Sequence, residues 1–169
     1  MPEKTTGEIH QYLTFKLADE DYAINVAHIK EIMTVPRITK MPRMPDYMSG
    51  IINLRGNAVP VLDLCRKFGQ GQVAMTPNTS IIVLEIPEKT ADEKDHILII
   101  GIFSDMVQKV ITIEPENIEP PPQIGIAIDT AFLSGMGHID DSFIMILNIN
   151  KILTQVELQE IKANTGTVE

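Results

Sequence analysis

Apolar and polar positions alternate through "LTFKL": Leu13, Phe15 and Leu17 share one face, and Thr14 and Lys16 share the other. This is the two-residue period of a half-buried strand. "ADED" supplies a turn and "YAINV" a returning strand. Val26, Ile29 and Ile32 then recur at every third position, leaving Lys30 and Glu31 to face outward. That spacing fits a short helical turn or a bent strand. "VPRITKMPRMPDYM", with three prolines, predicts an extended connector. "GIINLRGNAVPVLDL" (50–64) predicts a hairpin with a two-residue type II′ loop at Gly56-Asn57. That register pairs Leu54 with Val59 and Ile52 with Val61, all on a core face, and sends Asn53, Arg55, Ala58 and Pro60 to the other. Pro60 predicts an edge strand or one whose missing N–H points outward. Asp63 caps a short helix that Gly69 stops. "SIIVLEI" and "HILIIGIF" predict strands around the charged turn "PEKTADEKD". Val107, Val110 and Ile113 repeat the three-residue spacing, and "EPENIEPPP" is a second connector. "SFIMILNINKIL" reads as a strand entering a helix capped by Asn148, with Ile149, Ile152, Leu153 and Val156 as its buried stripe.

The chain repeats itself. "YMSGIINLRGNAVPVLDLCRKF" (47–68) aligns without a gap on "FLSGMGHIDDSFIMILNINKIL" (132–153) at an offset of 85. Tyr47 meets Phe132, Ser49-Gly50 meets Ser134-Gly135, and the cap Asp63 meets the cap Asn148. Core-facing positions are kept, while Asn53 and Arg55 become His138 and Asp140. Two similar β lobes with distinct outer surfaces suit a protein that holds two partners at once.

Charge narrows the partners. Across 169 residues the formal net charge is −9, which repels phosphate backbones, and with aromatics at 5% it argues against nucleic-acid binding. A hydrophobic content of 44% marks a folded globular chain. One cysteine, Cys65, allows no internal disulfide and points to a reducing cytoplasm. The first residues lack a signal-peptide pattern, and "ILIIGIF" is too short to cross a bilayer, so direct membrane insertion is not expected.

Little in the chain looks catalytic. Phosphate-cradling glycine loops and a nucleophile elbow are both absent from the sequence. Cys65 reads as a small buried hydrophobe. His138, Asp140 and Asp141 form the best acid–base or metal-ligating cluster, which would make a metal-dependent hydrolase, but Asp-Asp-Ser is ordinary turn chemistry. No cofactor or metal is expected. Arg55, with Asn53, lies opposite a core face amid apolar residues, as an interface anchor would. Glu31 is a similar lone charge between Ile29 and Ile32.

"YLTFKLADEDYAINVAHIKEI", "MPDYMSGIINLRGNAVPVLDLCRKFG" and "FLSGMGHIDDSFIMILNINKIL" together resemble the CheW family of bacterial chemotaxis coupling proteins, over about residues 9–158. The resemblance implies a mainly β fold of two interlocked five-stranded SH3-like barrels with short helices. The first lobe would span about 9–69, the second about 79–147, and a C-terminal helix about 148–163, with tails at 1–8 and 164–169. It implies a non-catalytic adaptor between the cytoplasmic tips of transmembrane chemoreceptors and the regulatory domain of the histidine kinase CheA. Such a protein is cytoplasmic and recruited to receptor arrays, with its own ring formation left open. By the same resemblance Arg55, Gly50, Asn53, Ser80, Ile100 and Gly101 fall on the receptor side, and Val26, Ile29 and Glu31 on the kinase side. The chain departs from the family pattern at Ser80, Ser104 and Asn148 and in its long "PEKTADEKD" turn.

Overall fold

The computed structural model describes residues 10–89, 95–121, 130–153 and 157. The alternation near the N-terminus becomes β1 (Gln11–Leu17) and β2 (Glu20–Asn25), joined by Ala18-Asp19, both at positive φ. The three-residue spacing that follows splits. Val26–His28 form a 3₁₀ turn capped by the Asn25 side chain, and Ile29–Thr34 form β3. β4 (Met48–Leu54) and β5 (Asn57–Leu62) make the central hairpin, followed by helix α1 (Leu64–Lys67). Asp63 caps α1 by accepting from Cys65 N at 3.0 Å, and a second Asp63 oxygen accepts from Val73 N at 2.9 Å. β6 (Ser80–Lys89) and β7 (Asp95–Ser104) extend into the charged turn beyond the expected apolar runs. β8 (Met106–Thr112), β9 (Ile118–Glu119), β10 (Leu133–Ile139) and β11 (Ser142–Leu147) complete the strands. Asn148 caps only a 3₁₀ turn, Ile149–Lys151. Apart from Glu157, the rest of the expected helix from 154 onward lies outside the described residues.

Two sheets result. One has the order β8-β1-β2-β11-β10-β9, and the other β3-β6-β7-β5-β4. They correspond to the two interlocked SH3-like barrels, the first gaining the two-residue β9 as a sixth strand. The pairing cuts across the lobes expected at 9–69 and 79–147. β1 and β2 join β8 to β11, because β2 runs parallel to β11 through Tyr22↔Met145 and Ala23↔Ile146. β5 finds the same kind of parallel neighbour in β7, through Val61↔Gly101. The N-terminal hairpin thus completes the C-terminal sheet, and the 3₁₀ turn at Val26–His28 carries the chain across. One apolar core links both sheets, from Phe15, Tyr22 and Ile24 to Ile82, Ile100 and Ile102, all fully buried. Burial of this continuous kind is what ties the two sheets together.

The repeat holds at its offset. β4 and β10, β5 and β11, and the caps Asp63 and Asn148 are each separated by 85 residues. Each first strand carries a register shift at the same place, Met48/Gly50 and Leu133/Gly135.

The hairpin register differs from the expected one. Leu54 pairs with Asn57 and Ile52 with Val59, so the loop is Arg55-Gly56. Both loop residues take positive φ, 52° and 87°, the type I′ geometry that follows strand twist. The Asn53 side chain accepts from Gly56 N at 2.7 Å and stabilises the tip. The core set survives the slip: Ile52, Leu54, Val59 and Val61 are all buried. Asn53, Arg55 and Ala58 stay exposed, but Pro60 is buried. β5 is no edge strand, lying between β4 and β7. Pro60 stands opposite Ile51, whose own N–H donates away from β5, to Thr39 O at 2.8 Å.

Candidate partner-binding face

Arg55 stands at the hairpin tip with 68% of its side chain exposed. Its guanidinium grips Glu31 of β3 with both arms, Nη1 to Oε2 at 2.6 Å and Nη2 to Oε1 at 3.2 Å. Such a planar fork fixes orientation as well as distance. The hydrogen bonds from Arg55 hold the Glu31 carboxyl below its ordinary range and raise the guanidinium in turn. Glu31 lies on the half-buried side of β3 with Ile29 and Met33, while Lys30 and Ile32 face outward. The expectation that Glu31 faces outward is therefore corrected: strand alternation sets it on the half-buried side with Ile29 and Met33, within reach of the hairpin tip. Residues assigned by resemblance to two different partner surfaces thus meet in one ion pair.

Gly50, near the start of β4, is buried. A Cβ there would stand 2.5 Å from Thr39 O and 2.6 Å from Ile38 Cγ2. The close approach lets the connector dock on β4 through Thr39 N→Ile51 O and Ile51 N→Thr39 O, both 2.8 Å. Beneath the connector is a cavity of about 490 Å³ lined by Ile38, Met41, Met44, Met48, Ser49 and Phe103, among others. Methionine suits such a lining because its flexible thioether adapts to different shapes. A smaller cavity of about 310 Å³ occupies the matching place in the other lobe, where Ile118, Ser134 and Asn148 stand for Ile38, Ser49 and Asp63.

The remaining candidates divide. Asn53 is exposed beside Arg55, and Ser80 is half-buried at the start of β6, opposite Ser104. Ile100 is fully buried and cannot touch a partner directly. Gly101 is buried too, where a Cβ would meet Ile81 Cγ2 at 2.7 Å. Both lie in an apolar strand covered on its two faces, so they shape the core behind the site. Val26 and Ile29 are half-buried and pack against the same core. Sequence reasoning missed the joining of Glu31 to Arg55. The available signal was a pair of opposite lone charges, each set among apolar residues.

At the repeated hairpin tip, Asp140 occupies Arg55's position with the same φ of 52°. The His138 ring lies 5.0 Å from that of Phe143. Among the described residues no three His, Cys, Asp or Glu side chains converge to hold a metal ion, His138, Asp140 and Asp141 included. Burial pushes the Cys65 thiol up to about 12, far from a reactive thiolate. Among the described residues no helix is long and apolar enough to cross a membrane.

A family model, the CheW-like domain, matches residues 11–157. The chemotaxis protein CheW of Klebsiella aerogenes is 31% identical over 155 residues, covering 92% of this chain and 87% of that protein. Protein FrzA of Myxococcus xanthus is 26% identical over 147 residues, covering 85% and 84%. The crystal structure of the scaffolding protein TtCheW from Thermoanaerobacter tengcongensis superposes with a TM-score of 0.74 at 32% identity, covering 89% of this chain and 91% of that one.

Proposed function

This chain belongs to the CheW-like family, and from that premise we propose that it is a non-catalytic adaptor coupling chemoreceptors to a CheA-type histidine kinase in chemotaxis signalling. It works in the cytoplasm and reaches the membrane through the receptors it binds. The observation that carries this reading is the Arg55–Glu31 fork on an exposed hairpin tip. Arg55 offers its outer face to a receptor tip, while Glu31, on the same strand as Ile29, belongs to the kinase-facing side. A contact that reorients the guanidinium changes the position of β3. Receptor and kinase affinities are then coupled through one two-position element. Asn53 fixes the backbone beneath Arg55, and Gly50 lets the connector seat on β4, the strand that leads to it.

The test is binding of a soluble receptor signalling fragment by sedimentation. Arg55→Glu should weaken receptor binding by roughly tenfold or more, as for an interface anchor, with an unchanged circular dichroism spectrum. Unchanged receptor affinity in a folded variant would remove Arg55 from the site.

A further inference from the structure

Lys67 closes α1 with its side chain only 7% exposed. Its Nζ donates to both carboxylate oxygens of Glu157, at 2.8 and 2.7 Å. The same ammonium lies 4.3 Å from the ring centroid of Tyr47 and 5.7 Å from that of Phe132. Tyr47 leads into β4 of the five-stranded sheet and Phe132 into β10 of the six-stranded one, and they are repeat equivalents. The two lobes therefore approach one cation with matching aromatic rings. Phe68, next to Lys67, continues the contact inward, 5.1 Å from Phe132 and 6.1 Å from Tyr22.

The repeat shows what is unusual here. The counterpart of Lys67 is Ile152, which is fully buried. An aliphatic side chain satisfies that position of the fold, so the charge at 67 is an addition. A lysine this enclosed needs a carboxylate, and Glu157 provides it from beyond the last described turn. A buried ion pair of this kind fixes a register. Removing one partner is costly, whereas replacing both with apolar groups is close to neutral.

We propose that Lys67 and Glu157 form a clasp at the seam between the lobes, joining the end of α1 to Glu157 and setting the lobes' relative orientation. Opening it loosens the seam while both sheets stay intact.

The test is amide hydrogen exchange on the full chain, with distances between nitroxide labels at Ala58→Cys and Asp141→Cys, exposed sites on the two hairpins. Cys65, buried with its thiol pushed up to about 12, stays unlabelled. Glu157→Gln keeps the shape but strands the lysine. Protection should fall at least ~10-fold across α1 and Ile149–Ile152, remain unchanged in β6 and β7, and the distance distribution should broaden. Lys67→Met should fall less, because Glu157 is 23% exposed and can turn to water. The double variant Lys67→Met/Glu157→Gln should match Lys67→Met. Wild-type protection and distances in Glu157→Gln would overturn the clasp. So would an equal loss of protection in every strand, which would make the pair a general stabiliser with no bearing on the seam.

Discussion

Replacing Gly50 with alanine separates support from contact at the proposed receptor face. The added Cβ would lie 2.5 Å from a backbone oxygen, Thr39 O, nearly an ångström inside ordinary contact. A backbone oxygen cannot swing aside as a side chain can. Relief requires the connector to lift, stretching the two Thr39–Ile51 hydrogen bonds, each worth ~1 kcal/mol net. The φ of 152° adds strain on the order of 1 kcal/mol or more for a residue with a side chain. The expected loss is about 2–4 kcal/mol. With a urea dependence of about 2 kcal/mol per molar, the middle of the usual range for small proteins, the midpoint should drop by about 1–2 M. Far-ultraviolet circular dichroism can follow it, since the chain has no tryptophan. Gly135→Ala is the internal control. Its Cβ would meet Glu119 O and Ile118 Cγ2 at 2.8 Å, without a positive φ. It should cost less than Gly50→Ala and leave receptor binding alone. Gly50→Ala should lose stability and receptor affinity together, the affinity because the connector docked on β4, the strand that leads to Arg55, has moved. Loss of receptor binding with an unchanged urea midpoint would refute this packing argument and make Gly50 a direct contact.

Three further outcomes follow from the same geometry. The charge swap Arg55→Glu with Glu31→Arg should rebuild the ion pair yet leave receptor affinity as low as in Arg55→Glu alone; recovery would assign the role to the pair and not to the arginine. The Glu31 carboxyl should titrate below its ordinary 4.5 by carbon-detected NMR. Because the folded value is lowered, the pair's contribution is present above the unfolded value and is lost as pH falls through the folded one; titration at or above 4.5 would contradict the fork. Ile100→Ala, at a fully buried position, should destabilise by about 2–5 kcal/mol while the folded fraction binds receptor normally, and weakened binding at full folding would contradict its assignment to the core.

Much of this fold was legible because the chain states its plan twice. Strand bounds, caps and bulges recur at one offset, and the core positions of the central hairpin read correctly even in the wrong register. The slip arose from the glycine. Gly56 first in the loop suggested a type II′ turn, whereas the loop places an arginine at positive φ. The echo held the correction, since Asp140 sits at the position of Arg55 with the same φ, and aspartate tolerates that conformation. The exchange of N-terminal strands between lobes was not legible from pattern. Parallel pairing of Tyr22 with Met145 joins apolar residues that would fit many neighbours. That Ile100 is buried was not legible either, because a strand covered on both faces shows no alternation to separate inside from outside. At the site, each charge was visible alone, but their meeting joins β3 to a hairpin tip 24 residues on, a tertiary contact that no local signal announces.

The most direct measurement is kinase autophosphorylation in a reconstituted mixture of receptor signalling fragment, CheA-type kinase and this protein. Receptor-dependent control of the rate should appear only when this protein is added, and should fail with Arg55→Glu. Receptor control that is equally strong without the protein would contradict its role as the coupling adaptor.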